Sequence, residues 1–225
     1  MYHLVHITSH NLPYEKVGKN EPVCIADEVP FEIPESWEWV RLGEFFQHNT
    51  GKALNSSNRS GELLTYITTS NLYWNRFEID NLREMYFSET EIPKCTATKG
   101  DLLVCEGGEI GRCAVWHNQI KKCFFQKALH RVRCNQDIIL PDYLSWWFKY
   151  NCENGGFTAI EGAKATISHL TGTKMKMLDV TVPPIELQEQ FVDIIHQVDK
   201  SKVAVQKALD ETQMLFDSLM QEYFG

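Results

Sequence analysis

TISHLTGTKMKMLDVTVPPIELQEQFVDII, residues 166–195, holds the point at which two kinds of structure meet. Met177–Val182 mixes apolar and β-branched residues and reads as a strand. Pro183–Pro184 stops it, because proline has no backbone N–H for a ladder or a helix interior. From Ile185 to about Tyr223 neither glycine nor proline occurs. Leu187, Phe191, Ile194/Ile195, Val198, Val205, Leu209, Leu215/Phe216, Leu219 and Tyr223 recur there at helical spacing. The spacing predicts one amphipathic helix of roughly 37 residues, ~55 Å long at the standard rise. A small domain covers only part of such a stripe. A partner helix, from another chain or another half of this one, is the natural cover.

Upstream of the double proline the pattern changes to short apolar runs broken by turns. LLTYITTSNLYW (63–74) reads as a strand running into a turn at Ser70–Asn71, and KGDLLVCEGGEIGRCAVW (99–116) as two strands around a glycine turn. Ala128–Arg133 adds another strand. DYLSWWFKYNCEN, after Pro141, suits a helix facing the core and ending at Gly155–Gly156. Residues 157–182 are mixed, with a polar loop, a helix start at Thr166–Ser168 and then the final strand. In IPESWEWVRLGEFF (33–46), Trp37, Val40 and Leu42 are expected to turn inward. Residues 1–36 are acidic and polar, with Pro13, Pro22, Pro30 and Pro34 spaced so that no long helix fits. The organisation expected is an acidic connector over 1–32, an α/β (α+β-like) globular domain over 33–183, and a long helix over 184–225.

A net charge of −8 argues at first against nucleic acid, but the charge is unevenly spread. From Arg41 to Asp179 there are 17 Lys+Arg against 15 Asp+Glu, leaving 5 against 15 in the two ends. Residues 110–136 carry Arg112, Lys121, Lys122, Lys127, Arg131 and Arg133 and no acid. Clustered basic charge is what a phosphate backbone requires, and equally what a solvated strand surface displays. The seven cysteines include no C-x2-C pair, which speaks against structural zinc and for reduced thiols. No apolar run suits a membrane span, and MYHLVHITSH lacks the pattern of a secretory signal, so the expected location is the cytoplasm.

Catalytic constellations are hard to find. Gly107–Gly108–x–x–Gly111 is a fragment of a dinucleotide fingerprint, without its first glycine pair or a following helix. Phosphate-loop, H-E-x-x-H and G-x-S-x-G patterns are absent, as is the N/D-P-P-Y/F motif of amine methylation. His117, His130 and His169 read as surface or strand residues. Glu106 and Glu109 can form a carboxylate pair, but a glycine turn alone does not hold two acids at a working separation. The chain is therefore expected to be no enzyme and to carry no cofactor or metal of its own.

Several segments together resemble type I restriction–modification specificity subunits of the HsdS family. IPESWEWVRLGEFF (33–46) looks like the opening of a target-recognition domain. YITTSNL (66–72) and KGDLLVCEGGEIGRCAVW (99–116) are similar to the family's strand–turn–strand. TISHLTGTKMKMLDVTVPPIELQEQFVDII resembles the boundary between recognition domain and conserved helix, most of all in Pro183–Pro184 followed by Glu189–Gln190. Members commonly have two recognition domains and two such helices; this chain has one of each and looks like a half-subunit.

The resemblance implies an α/β domain reading a DNA half-site, with long helices packed antiparallel as a coiled-coil spacer. It implies double-stranded DNA, adenine methyltransferase subunits and a restriction subunit as partners. S-adenosylmethionine, Mg and ATP belong to those partners. A homodimer, or pairing with another half-subunit, would rebuild a two-domain reader of a bipartite palindrome. Leu187, Phe191, Ile194, Val198, Val205, Leu209, Phe216 and Leu219 would form the seam. Charge, polarity and turn location select Lys52, Thr69, Ser70, Asn71, Arg76, Arg112, Lys164, Thr166, Ser168, His169, Thr171 and Lys174 as candidate DNA contacts; exposed or capping roles suit each of them as well. The competing readings are a truncated scaffold that binds methyltransferase without reading DNA, and a self-contained DNA enzyme.

Overall fold

The computed structural model describes residues 3–7, 13–17, 21, 23–24, 33–55, 57, 59–155 and 169–225. The chain divides into two compact units, Met1–Ile185 and Glu186–Gly225. The first is the body and the second is almost the whole of one helix.

The body begins with a small antiparallel sheet of β1 (His3–Ile7), β2 (Pro13–Val17) and β3 (Val23–Cys24). A connector was expected here. The prolines exclude a helix but not a strand, and Pro13 is the first residue of β2, where a missing N–H is tolerated. Next, β4 (Glu38–Arg41) pairs antiparallel with the last strand of the body, β15 (Asp179–Val182), in register Val40 to Val180. Arg41 Nε donates to Asp179 Oδ1 at 3.0 Å across that ladder. Val40 and Leu42 are buried as expected; the inward tryptophan, however, is Trp39, and Trp37 is only half-buried. Trp39 and Val40 are neighbours on opposite faces of β4 and both are covered, whereas Trp37 precedes the strand that pairs with β15.

Two four-stranded sheets make up the middle. One orders β10 (Thr96–Ala97), β13 (Cys123–Phe125), β6 (Glu62–Ile67) and β9 (Arg83–Phe87), with a single parallel pair between β13 and β6. The other is antiparallel and orders β12 (Cys113–Val115), β11 (Leu102–Cys105), β14 (Leu129–Cys134) and β5 (Phe46–Thr50). Their inner faces supply one core of Ile67, Leu72, Leu103, Cys105, Trp116, Phe125 and Leu129, among others. Every residue of β11, β12 and β13 is buried, so these strands read as continuous apolar runs rather than alternating ones. A short hairpin, β7 (Leu72–Tyr73) and β8 (Arg76–Phe77), follows a 3-10 turn at Thr69–Asn71.

Among the described residues, three helices complete the picture of the body. α1 (Ile92–Cys95) is one turn; α2 (Pro141–Glu153) buries Tyr143, Leu144 and Phe148; α3 (Gly172–Lys176) lies in the mixed segment just before the last strand. The helix start expected at Thr166–Ser168, and Gly156, lie outside the described residues. The body is thus the mixed sheet-and-helix globule expected from the sequence.

α4 (Ile185–Phe224) is a single helix of 40 residues. Leu187, Ile194, Val198, Val205, Leu209, Phe216 and Leu219 are exposed along it, and Phe191 is half-buried. Among the described residues no helix is long and apolar enough to cross a membrane.

Candidate nucleic-acid interface

The glycine turn between β11 and β12 organises the polar face of the body. Glu106 O accepts from Leu170 N at 2.7 Å, which brings the segment beginning at His169 against the turn. Gly107 faces His169 at this approach, and a Cβ there would sit 3.0 Å from His169 Nδ1, so that the ring would have to give way slightly. Beside it opens a cleft of about 570 Å³ lined by Leu54, Thr69, Gly107, Gly108, Lys127 and His169, among others. Two candidate contacts, Thr69 and His169, therefore share one concavity although a hundred residues separate them in sequence.

The floor below this face is a histidine pair. His48 Nε2 and His130 Nδ1 lie 2.7 Å apart, so one ring donates and the other accepts. Burial, then the neighbouring His130 and Lys176, hold the His48 pKa down at about 4. Burial also lowers that of His130, against the raising effect of Glu106. Both rings are thus neutral near pH 7 and able to share one hydrogen bond. A Cβ on Gly172 would overlap the His48 ring, so the glycine lets α3 settle directly on the pair. Thr171 caps that helix, its Oγ1 accepting from Lys174 N at 3.4 Å.

Arg112 braces the rim. Its guanidinium donates to Glu109 Oε2 and to Thr69 O, each at 2.7 Å, and lies 5.7 Å from the Tyr73 ring. Trp74 Nε1 donates to the other oxygen of Glu109 at 2.5 Å, joining the β7–β8 hairpin to the glycine turn. Glu106 and Glu109 consequently serve different partners and do not act as a carboxylate pair. Arg76 is exposed and stacks on Tyr73 at 4.4 Å. Ser70 is exposed, its hydroxyl 2.7 Å from Thr68 Oγ1.

Two expected contacts are corrected by the structure. Lys52 is buried, and its ammonium donates to Tyr86 O and Glu91 Oε2, each at 2.6 Å. That hydrogen bond, with others from Ser88, pulls the Glu91 pKa down to about 2. Asn71 is buried too; its Oδ1 accepts from Thr68 N and Thr68 Oγ1, and its Nδ2 donates to Glu78 O. An amide so occupied holds the turn together and has no edge left for adenine. Lys164, Thr166 and Ser168 lie outside the described residues.

The basic run 110–136 also divides. Arg131 is buried and donates to Thr96 O, while Arg133 grips the fully buried Asp101 through two nitrogens at 2.7 Å. Lys121, Lys122 and Lys127 are exposed. Sequence reasoning did not select Lys127 or Tyr73 as contacts, nor the histidine pair as a support. Lys127 was legible within the acid-free run; nothing local marks His48. Among the described residues no group of three or more His, Cys, Asp or Glu stands ready to hold a metal.

The chain matches the family described as "Type I restriction modification DNA specificity domain" over residues 34–212. It is 23% identical over 199 residues to a putative type I restriction enzyme MjaX specificity subunit of Methanocaldococcus jannaschii, covering 86% of this chain and 46% of that one. With the type I restriction enzyme EcoEI specificity subunit of Escherichia coli it shares 23% identity over 224 residues, covering 91% and 37%. Among solved structures, the HsdS subunit from Thermoanaerobacter tengcongensis superposes with a TM-score of 0.61 at 21% identity, over 86% of this chain and 45% of that one. A chain from a study of assembly and conformational transition in a type I R-M system gives 0.62 at 22% identity, over 86% and 46%. The chain therefore spans less than half the length of these relatives. The two structures share its fold, and the family profile runs through the body and well into α4; the chain belongs to the type I restriction modification DNA specificity domain family.

Proposed function

We propose that the chain is the DNA-reading half of a type I restriction–modification specificity subunit. It has no catalytic role of its own and directs an adenine methyltransferase, and with it a restriction subunit, to a bipartite site. The observation that carries this reading is the family match across residues 34–212, body and helix together. The cleft at the glycine turn, with His169, Thr69 and Lys127 on its walls and Arg76 on the neighbouring hairpin, is the surface that meets DNA. Phosphate contacts set the position and a few side chains set the sequence. Location in the cytoplasm fits the unpaired thiols of Cys95, Cys105, Cys113, Cys123, Cys134 and Cys152.

The exposed stripe of α4 is the partner surface. Two copies, or this copy and a different half, pair along it and place two bodies on two half-sites. The test mixes the purified chain with its cognate methyltransferase and S-adenosylmethionine and maps adenine methylation on genomic DNA. A discrete bipartite palindrome is the expected outcome. Complex formation without methylation sinks the self-paired reading, and leaves either pairing with a different half or the scaffold role that the inward-turned Lys52 and Arg131 favour.

A further inference from the structure

We infer that Arg76 is a specificity-determining residue, reading a guanine through its major-groove edge; the inference rests on the DNA-recognition reading above. A guanidinium resting over an aromatic ring spends no hydrogen-bond donor on that contact, so its N–H fork stays open. Arg76 lies 4.4 Å from the Tyr73 ring, is exposed, and has no hydrogen-bond or ion-pair partner among the described residues. Its platform is anchored at several points. Leu72 is fully buried at the base of the hairpin, Phe77 packs edge-on against Trp116 at 5.1 Å, and Asn75 N donates to Cys113 O at 2.9 Å. The second residue of the two-residue turn has a positive φ of 58°, supplied by Asn75, one of the few side chains that tolerate it. A hairpin this short is marginal alone, and these anchors make it rigid. Part of the ordering entropy of a long side chain is therefore lost before any ligand arrives.

The second guanidinium on the same ring shows why Arg76 is the reader. Arg112, at 5.7 Å from Tyr73, is already held by Glu109 and Thr69 O, and Glu109 neutralises it. It positions; Arg76 contacts. Guanine offers two acceptors, O6 and N7, along its major-groove edge, matching a planar fork of donors. Adenine places an amino donor where O6 would be and cannot satisfy both N–H groups. The exposed Lys121, Lys122 and Lys127 are compact point charges suited to phosphate, and none is stacked on a ring among the described contacts.

The test is selection of the full chain against a randomised duplex library, with the bound fraction sequenced. The wild-type chain is compared with Arg76→Lys, Arg76→Ala and, as the phosphate comparator, Lys127→Ala. Wild type is expected to prefer guanine at one position by about 5- to 150-fold. Arg76→Lys, which keeps the charge but loses the fork, and Arg76→Ala both flatten that position and leave the rest of the motif intact. Lys127→Ala weakens binding evenly and makes the log–log salt dependence shallower by about one. An unchanged motif in Arg76→Ala overturns the inference, and so does an even loss with a shallower salt slope. Wild-type chain selecting no sequence at all would instead bring down the DNA-reading function, and this inference with it.

Discussion

The body and α4 treat their apolar residues in opposite ways. In the body, Trp116, Phe125, Phe148 and Leu103 are at most 1% exposed, and even charged groups such as Asp101 and Arg131 are drawn inside and paired. On α4, Val205, Leu209, Phe216 and Tyr223 are 55–72% exposed. Burial of apolar surface is the main driving force of folding, so the body's residues have spent theirs and those of the helix have not. What differs is the kind of structure each sequence completes: the body closes on itself, whereas the helix leaves an apolar face uncovered, the face proposed above for a partner.

Four measurements break or sharpen this contrast. The largest effect belongs to the core: Trp116→Ala is expected to cost about 3–5 kcal/mol in urea unfolding, by lost transfer energy and the cavity left behind. A loss below about 1 kcal/mol would mean that the body is not closed in the way described. Next comes the inward lysine. Lys52→Ala leaves Glu91 without its ammonium and should cost about 1–2 kcal/mol, because the carboxylate is partly solvated. A variant of unchanged stability but weakened DNA binding would return Lys52 to the interface.

The third measurement is a pH profile. His48 is held neutral in the fold, with its pKa lowered from 6.5 to about 4, while His130, Glu106 and Lys176 face the pair. The unfolded chain binds the proton first, so the stabilisation is complete above pH 6.5 and lost as pH falls toward 4. Allowing for solvent screening, stability should fall by about 1 kcal/mol from pH 7 to pH 5, and His48→Asn should flatten that slope. The window is distinct from that of Glu91, whose contribution is lost only as pH falls from 4.5 toward 2. Smallest in stability is the pair Leu209→Ser and Phe216→Ser on α4. At low concentration it should change unfolding by less than about 0.5 kcal/mol, while abolishing concentration-dependent association in sedimentation. Self-association that survives both substitutions would mean that the stripe is not the seam.

The sequence disclosed most where structure depends on neighbours along the chain. α4 was legible because forty residues without glycine or proline keep one apolar period. β11 was legible because Leu102–Cys105 is an apolar run beside a glycine turn. By contrast, FQHNT of β5 looks like loop, and only pairing with β14 makes it a strand. The interface was read less well for the same reason. Whether a cation serves DNA or the fold is decided by a partner far away in sequence. Lys52 meets Glu91 from 39 positions off, and Arg133 meets Asp101 from 32. Residue type alone made Lys52 and Lys127 equivalent; tertiary pairing separates them. Arg76 was selected by type, but the ring beneath it became visible only with the hairpin.

The ladder of β4 with β15 has a mechanical consequence. Glu38 pairs with Val182 and Arg41 with Asp179, so the chain enters and leaves this part of the body at the same end of the ladder. Tension applied at Ser36 and Pro184 would load the rungs one after another, as in opening a zipper, instead of shearing them together. The body should therefore yield at low force from this seam, while the same pull directed along β11 and β14 would meet their whole ladder at once.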